Sequence, residues 1–373
     1  MKHIFALLAL STLSASFAQA DLSLQPNKKT GIQMSDQEER TVDDKYGRFQ
    51  KGPFLTADFL YWIAHEEGLE YAMTGAYGDT NVNNNISVSE GSSKNVDFKW
   101  KPGFRLGAGW TFSDNYWDAS INWTWYSTRA KDSASHTGDP NLNPLWPSLA
   151  PASLANVIET PLTLDRASAN WRLLYNTLDV ELGRSFYPTK CLSLKPHAGV
   201  RGAWVNQSYS LHYNFDANST TFSTIKRKLR NNYHAAGFKA GLDTFWSFNS
   251  AWGLFANGSI SLLGGNFHLR QIDDVTSITT SSASFTGNFL YVNLKDRFFS
   301  VIPVFEGSMG IQLTLKPSQK NYWFDLSAGW EYLLWMNQNQ IGINTTNNIK
   351  GLFIRQHDNL HLMGFTLHAK VHF

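Results

Sequence analysis

Apolar and polar residues alternate along most of the chain that follows Gly52. In the clearest segment, WDASINWTW at residues 117–125, every odd position is apolar and every even position is polar. Similar alternation recurs in segments that begin near residues 55, 96, 104, 178, 198, 238, 252, 305 and 322. Successive side chains of a β-strand point to opposite faces of a sheet, so each segment predicts a strand with one apolar and one polar face.

The connections between these segments are alternately short and long. The short ones fall at residues 113–115, 187–191, 249–250 and 316–320, and the long ones at residues 76–95, 129–169, 216–231, 271–284 and 338–349. Short periplasmic turns and long extracellular loops are typical of outer-membrane barrels. The predicted fold class is therefore all-β: a transmembrane antiparallel β-barrel of about 10 to 16 strands, with about 12 to 14 preferred. Residues 285–297 and the long first segment are the places where extra strands could lie.

The last eleven residues, from Met363 to Phe373, alternate strictly and end on an aromatic residue. A strand with one face in lipid and one in water has this pattern, although an edge strand of a soluble β-sandwich would also alternate. We interpret the outward residues of this strand as a membrane-insertion signal that the barrel-assembly machinery reads. These residues are Phe365, Leu367, Val371 and Phe373.

The first twenty residues have the layout of a secretory signal peptide. Lys2 and His3 precede a mostly apolar run at residues 4–13, and small residues then lead to Ala18 and Ala20 in an A-x-A cleavage pattern. An apolar run of this length is too short for ~30 Å of hydrocarbon, which disfavours a transmembrane anchor. The predicted organisation is a signal peptide (1–20), a polar periplasmic extension or partial plug (21–51) and the barrel (52–373).

Aromatic residues make up 14% of the chain, and the net charge is +2. The small charge gives no electrostatic basis for nucleic-acid binding. Aromatics recur near predicted strand ends, for example at residues 61–62, 125–126 and 298–299 and at Trp335, and predict two girdles at the membrane boundaries.

The expected partners are outer-membrane lipids and lipopolysaccharide. A homo-oligomer is compatible with the sequence, but nothing in it requires one. The single cysteine, Cys191, excludes an internal disulfide framework and leaves an unpaired thiol or an intermolecular link open.

Charged residues at the polar positions of the strands are predicted to line a wet lumen, where they tune ion selectivity. The predicted pore-lining residues are Lys99, Lys101, Arg105, Asp118, Arg172, Asp179, Glu181, Lys195, Arg201, Lys239, Asp243, Glu306, Asp325 and Glu331. Their mixed signs indicate facing charges that set a transverse field. If they line the lumen, replacing Arg105, Arg172 and Arg201 with neutral residues shifts the reversal potential toward cations.

Four blocks carry a resemblance to a known family: GPFLTADFLYWIAHEEGLEYA (52–72), KPGFRLGAGW (101–110), NTLDVELGRSFY (176–187) and LKPHAGVRGAWVNQSY (194–209). With the aromatic C-terminus, they make the chain similar to the Legionella-type pore-forming outer-membrane proteins, related in kind to the major-outer-membrane-protein-like porins of chlamydia-like bacteria. The resemblance implies a porin-like barrel in the outer membrane. The chlamydial relatives are often cysteine-rich and cross-linked, and this chain departs from them with its single Cys191.

The leading functional hypothesis is a water-filled diffusion channel for small hydrophilic solutes and ions. The alternative is a surface-exposed structural or adhesion barrel with little or no open pore, which displays loops such as the proline-rich 129–169. That loop could also fold inward and narrow a channel. A third possibility, a transporter of hydrophobic solutes, requires an apolar lumen, whereas the predicted lumen is polar.

No enzyme, cofactor or metal is expected. The sequence contains no G-x-S-x-G, Walker A or H-E-x-x-H motif. The histidine pair His368 and His372 shares one face of a strand but lies ~13 Å apart at ~3.3 Å per residue, too far to share a metal ion. The pair His357 and His361 has the same spacing. A basic run at residues 226–230 is interpreted as a solvated loop end that contacts anionic lipopolysaccharide, with a substrate site as the alternative.

Overall fold

The structure is a computed structural model that describes residues 51–74, 91–112, 116–137, 142–146, 164–215, 222–279, 284–315, 322–345 and 352–373. The predicted signal peptide with its predicted cleavage residues Ala18 and Ala20, and the predicted polar extension up to residue 50, lie outside the described residues. Within the described ranges, no helix has the length and apolar character needed to cross a membrane.

The described residues form sixteen strands. In chain order they are β1 (Gly52–Glu66), β2 (Ala72–Thr74), β3 (Ser92–Lys94), β4 (Lys101–Thr111), β5 (Trp117–Ser135), β6 (Asn143–Pro144), β7 (Leu164–Arg184), β8 (Phe186–Thr189), β9 (Leu192–Phe215), β10 (Phe222–Ser247), β11 (Trp252–Thr279), β12 (Ser284–Leu315), β13 (Trp323–Asn339), β14 (Gly342–Thr345), β15 (Leu352–Arg355) and β16 (Asp358–His372).

Ten of these strands close into an antiparallel barrel in the order β1-β4-β5-β7-β9-β10-β11-β12-β13-β16. The first and last strands pair along their length, from Phe54 opposite His372 to Glu66 opposite Leu360. Ten strands fall within the predicted range, whereas the preferred 12 to 14 was too high. The reason is strand length: β12 alone has 32 residues and contains the segment 285–297 in which further strands were expected.

Long strands also replace much of the predicted loops. Residues 129–135 belong to β5, residues 164–169 to β7, residues 222–231 to β10 and residues 271–279 to β11. The two ends of the barrel remain different. Thr111 and Trp117, which flank one short connection, lie with Gly52 and Phe373 at one end of the barrel, here called the turn end. The strand ends that flank the long connections lie at the other end, here called the loop end. The turn end corresponds to the periplasm and the loop end to the cell exterior.

A belt of exposed apolar side chains surrounds the turn-end part of the barrel. On β11 it extends from Trp252 to Leu262. This interval corresponds to ~33 Å along the strand and to ~23 Å of height at a tilt of ~45°. An apolar band of about 25 Å is typical of the lipid-facing surface of an outer-membrane barrel.

The apolar face changes sides where the strands leave this belt. On β9, Val200 and Trp204 point outward and Arg201 points inward. Farther along the same strand, Tyr209 and Tyr213 point inward and are buried, while the outward positions are polar. Strands β1, β7 and β10 change phase in the same way. The loop-end half of the barrel is therefore built like a soluble protein, with an apolar interior and a polar exterior.

The phase change corrects the predicted aromatic girdles. In the pair at residues 61–62, Tyr61 is 44% exposed and Trp62 is fully buried. Tyr126 and Trp335 are also buried inside the barrel, whereas Phe299 is 66% exposed. Adjacent aromatics point to opposite faces of a strand, so only one member of each pair can belong to a girdle.

Candidate functional site

The turn-end half of the barrel interior contains a polar cavity of about 400 Å³. Strands from all sides of the barrel contribute charged residues to its wall. The charged residues are Asp58, Arg105, Asp179, Glu181, Lys195, Arg201, Lys239, Asp243, Glu306, Asp325, Glu331 and Lys370. An eight-stranded barrel is just filled by its own side chains, and two further strands leave room for such a cavity.

Arg201 is the centre of the first ion-pair cluster. Its Nε and Nη2 atoms each donate to Asp179, the directly opposed residue on β7, at 2.6 Å. Arg201 also pairs with Glu306 on β12, three strands away around the barrel wall. Lys239 lies 3.0 Å from Asp179, 2.7 Å from Glu181 and 3.3 Å from Glu306. The cluster therefore links opposite parts of the wall and narrows the lumen.

Arg105 forms the second cluster in the same way. Its guanidinium lies 3.0 Å from Asp58 on β1 and 2.8 Å from Glu331 on β13, and its Nε donates to Thr124 on β5 at 3.0 Å. Glu331 accepts a further hydrogen bond from Thr366 at 2.9 Å. Asp58 also contacts His368, so each of the two carboxylates has partners on two strands. The cluster therefore holds the side chains of neighbouring strands in place on the inner face of the barrel.

A second cavity, of about 190 Å³, lies closer to the turn end. Lys195 lines both cavities and pairs with Asp118 at 3.5 Å and Asp243 at 3.3 Å. His372 lies 3.4 Å from Asp325 near the same opening. The interior is thus lined by polar and charged residues from the Arg201 and Arg105 clusters to the turn end.

Above the polar cavity, three chain segments enter the barrel and pack against its apolar inner wall. They are residues 67–74, 142–146 and 338–341, and together they are called the outer plug. Leu69, Tyr71, Leu142, Trp146 and Ile341 are its buried apolar members. They form one hydrophobic core with inward side chains of the barrel strands. In the described residues, this half of the interior is filled.

Wall side chains hold the backbone of the outer plug by hydrogen bonds. Tyr209 donates to the carbonyl of Leu69 at 2.6 Å, and Tyr213 donates to that of Tyr71 at 2.7 Å. Within the plug, Trp146 Nε1 donates to the carbonyl of Glu70 at 2.7 Å. Buried peptide groups need such partners, so these bonds make the closed arrangement specific rather than a loose collapse.

Most of the predicted pore-lining residues lie together. Ten line the larger cavity: Arg105, Asp179, Glu181, Lys195, Arg201, Lys239, Asp243, Glu306, Asp325 and Glu331. Asp118 lines the second cavity. Lys99, Lys101 and Arg172 line neither cavity, and the lumen position predicted for Arg172 was wrong. Lys99 is exposed in a connection beside Asp97, and Arg172 has the outward phase of Val180 and Leu182 on its own strand.

Two groups were not predicted. Asp58 lines the cavity and pairs with Arg105, and its place between Ala57 and Phe59 in an alternating strand could have revealed it. The outer plug was missed because its residues have the sequence character of loops and girdles. Consequently the polar lumen that the sequence predicts is present only in the turn-end half of the barrel.

The basic run at residues 226–230 was interpreted as a solvated loop end. In the structure these residues belong to β10, and Arg227 points inward and pairs with Asp273 at 2.8 Å.

The C-terminal strand places its predicted signal residues on one face. Phe365, Leu367 and Phe373 are exposed, and Val371 is half-buried. On the opposite face of the same strand, His368 pairs with Asp58 on β1, and His372 pairs with Asp325 on β13. The described part of the chain contains no group of three His, Cys, Asp or Glu residues placed to hold a metal ion.

The closed barrel, its apolar belt and its charged interior define an integral β-barrel of the bacterial outer membrane. Residues 50–373 match the family described as the Legionella pneumophila major outer membrane protein precursor. The chain belongs to this family.

Solved barrels resemble the chain only distantly. The outer membrane protease OmpT from Escherichia coli matches with a TM-score of 0.35 and 9% identity, over 88% of this chain and 100% of that chain. The translocator domain of the autotransporter NalP from Neisseria meningitidis matches with a TM-score of 0.28 and 10% identity, over 90% and 93%. A FadL homologue from Pseudomonas aeruginosa matches with a TM-score of 0.24 and 10% identity, over 86% and 90%. No curated protein matches the chain significantly.

Proposed function

We propose that this protein is a diffusion channel for ions and small hydrophilic solutes, and that the structure represents its closed state. The observation that carries the proposal is the polar, charge-lined cavity of about 400 Å³ inside a membrane-spanning barrel. In this proposal the outer plug is the gate: passage requires that it leave the loop-end half of the interior.

The closed state should predominate at rest. Burying a large apolar side chain stabilises by roughly 1.5–3 kcal/mol, and the plug contributes several such side chains, among them Leu69, Tyr71 and Trp146. Opening is therefore expected to be rare. Once open, the channel should weakly prefer cations, because seven acidic and five basic residues line the cavity.

A second candidate is a permanently closed barrel with a structural or adhesive role at the cell surface. The extent of the apolar packing between plug and wall favours it, since a gate that must open has less need of so large a core. The two candidates make opposite predictions about the conductance of a barrel whose plug is weakened.

The test is planar-bilayer conductance of the purified chain, compared with Trp146→Ala and with Trp246→Ala as control. Trp146 is buried in the plug, whereas Trp246 is 55% exposed on the outer face. Loss of a buried Trp costs roughly 3–5 kcal/mol. If that loss is felt only in the closed state, it raises the frequency of opening by roughly 100-fold or more.

For the channel proposal we expect rare current steps from the natural protein, far more frequent steps from Trp146→Ala and no change from Trp246→Ala. Folded, heat-modifiable protein that stays silent in all three forms would refute the channel and favour the closed surface barrel. In the open Trp146→Ala background, Arg105→Gln should shift the reversal potential toward cations, whereas Arg172→Gln on the outer face should not.

A further inference from the structure

The outer surface carries a row of cations just beyond the apolar belt on the loop-end side. We call it the basic row, and its members are Arg129, Arg172, Arg230, Arg270 and Lys295. They occupy directly opposed positions on neighbouring strands, with Ser208 between Arg172 and Arg230. Five cations at six adjacent positions thus form one continuous row across β5, β7, β9, β10, β11 and β12.

The distance of the row from the hydrocarbon layer can be measured from the edge of the apolar belt. Arg172 lies two residues beyond Leu174, and Lys295 lies four residues beyond Phe299, both exposed apolar residues. At ~3.3 Å per residue, Arg172 and Lys295 lie ~7 and ~13 Å beyond these residues along their strands, which is the depth of lipid headgroups. Arg230 and Arg270 lie eight residues, or ~26 Å of strand, beyond Phe238 and Leu262, so the row extends outward from that depth.

The row has no internal compensation for its charge. Like charges directly opposite each other destabilise a sheet. Among the described residues, no carboxylate forms an ion pair with any of the five cations, and Arg270 Nε is buried without a hydrogen-bond partner. Such an arrangement favours an external anion that several cations share.

A groove of about 530 Å³ crosses the row at Ser208, the one uncharged residue among the six opposed positions. Ser208 leaves a gap between Arg172 and Arg230, whose backbones are two strand spacings apart, or ~10 Å. Lys101, Arg129, Asn206 and Asn232 also line the groove, and no acidic residue does. The groove therefore presents cationic groups on both sides and neutral hydrogen-bonding groups at its floor.

We propose that the basic row and this groove bind the phosphate groups of lipid A in the outer leaflet. Lipid A is an acylated disaccharide with phosphates at both ends, so its acyl chains would cover the apolar belt while its phosphates lie between the arginine pairs. Guanidinium groups suit this role because they bind phosphate in a bidentate way. The site is independent of the channel proposal, since it lies on the outer face and needs only the outer-membrane location.

The test compares binding of lipopolysaccharide by the purified full chain with binding by Arg172→Gln/Arg230→Gln. The control is Lys51→Gln/Lys190→Gln, which removes the same charge from exposed positions at the turn end. Each arginine at an anionic surface is worth about a five-fold change in affinity, so the double change should weaken binding roughly 30-fold. The control should change binding less than about two-fold, and Arg172→Lys/Arg230→Lys should retain most of it.

Three further ligands decide whether lipid A phosphate is the feature recognised. We expect dephosphorylated lipopolysaccharide to bind as weakly as the double arginine variant, and inorganic phosphate or phosphatidylglycerol vesicles not to compete. Equal loss in both glutamine variants, binding that survives dephosphorylation, or full competition by phosphatidylglycerol would overturn the proposal. Conductance or its absence does not enter these measurements, so failure of the channel proposal remains distinguishable.

Discussion

Removing the guanidinium of Arg201 should destabilise the barrel more than removing any surface arginine. Only 3% of this side chain is exposed, and its carboxylate partners Asp179 and Glu306 are 8% and 13% exposed. Arg201→Met leaves Lys239 as the one cation among Asp179, Glu181 and Glu306 within this cluster. Three carboxylates then face one ammonium group away from bulk water.

The expected loss follows from the cost of an uncompensated buried charge. Breaking a buried pair by removing one partner costs about 3–5 kcal/mol. Because Lys239 still contacts all three carboxylates, we expect the lower part of this interval, about 3 kcal/mol. Arg201→Lys keeps the charge but loses the bidentate contact, so a smaller loss is expected. Neutralising the partners in the Arg201→Met background, by Asp179→Asn and Glu306→Gln, should recover part of the stability.

The assay is denaturant unfolding in detergent micelles, followed by tryptophan fluorescence and by heat-modifiable mobility of the folded barrel. Arg172→Met is the matched control, since it removes the same group from the outer face and should cost less than about 1 kcal/mol. Equal stability of the two single variants would refute the view that the Arg201 cluster stabilises the interior. A triple variant less stable than Arg201→Met would refute the charge argument specifically.

Three other predictions concern the plug, the orientation and assembly. Tyr209→Phe/Tyr213→Phe removes two hydrogen bonds to the plug backbone and should cost about 2 kcal/mol or more of unfolding free energy, while Tyr332→Phe, on the outer face, should cost little. Cys191 is exposed at the turn end, so an impermeant maleimide should label it only after the outer membrane is permeabilised; labelling of intact cells would reverse the orientation. Phe373→Ser should lower the yield of folded barrel in cells but not refolding in detergent, and an equal loss in both settings would point to stability rather than to an assembly signal.

Alternation was sufficient to predict the fold because lipid and water impose opposite requirements on the two faces of each strand. It also located Arg105, Arg201 and Glu306 in the interior, since each is a charge flanked by outward apolar residues. Arg172 marks the limit of this inference. Its phase relative to Val180 places it outside, although its charge favours a position in the lumen.

The sequence could not predict which charged residues form ion pairs within each cluster. The link from Arg201 to Glu306 spans three strands, and the strand number sets which residues face each other across the lumen. The plug was equally hidden, because Leu69 and Trp146 lie in short segments without long alternation. Their burial depends on the closed wall around them, a long-range feature that no local pattern encodes.

The change of phase along the strands connects the three main features of the molecule. Within the belt, lipid requires an apolar exterior, so charge is confined to the interior and forms the polar cavity. Beyond the belt, the exterior is in water and the interior can be apolar, which allows a plug to pack there. The same exchange puts Arg172 outward at the boundary, next to the headgroups, and Arg230 outward farther toward the loop end. Because alternation is continuous through the change, the boundary can be located in a sequence of this kind. It is where the apolar positions move from one parity to the other, near residue 173 in β7 and residues 204–205 in β9.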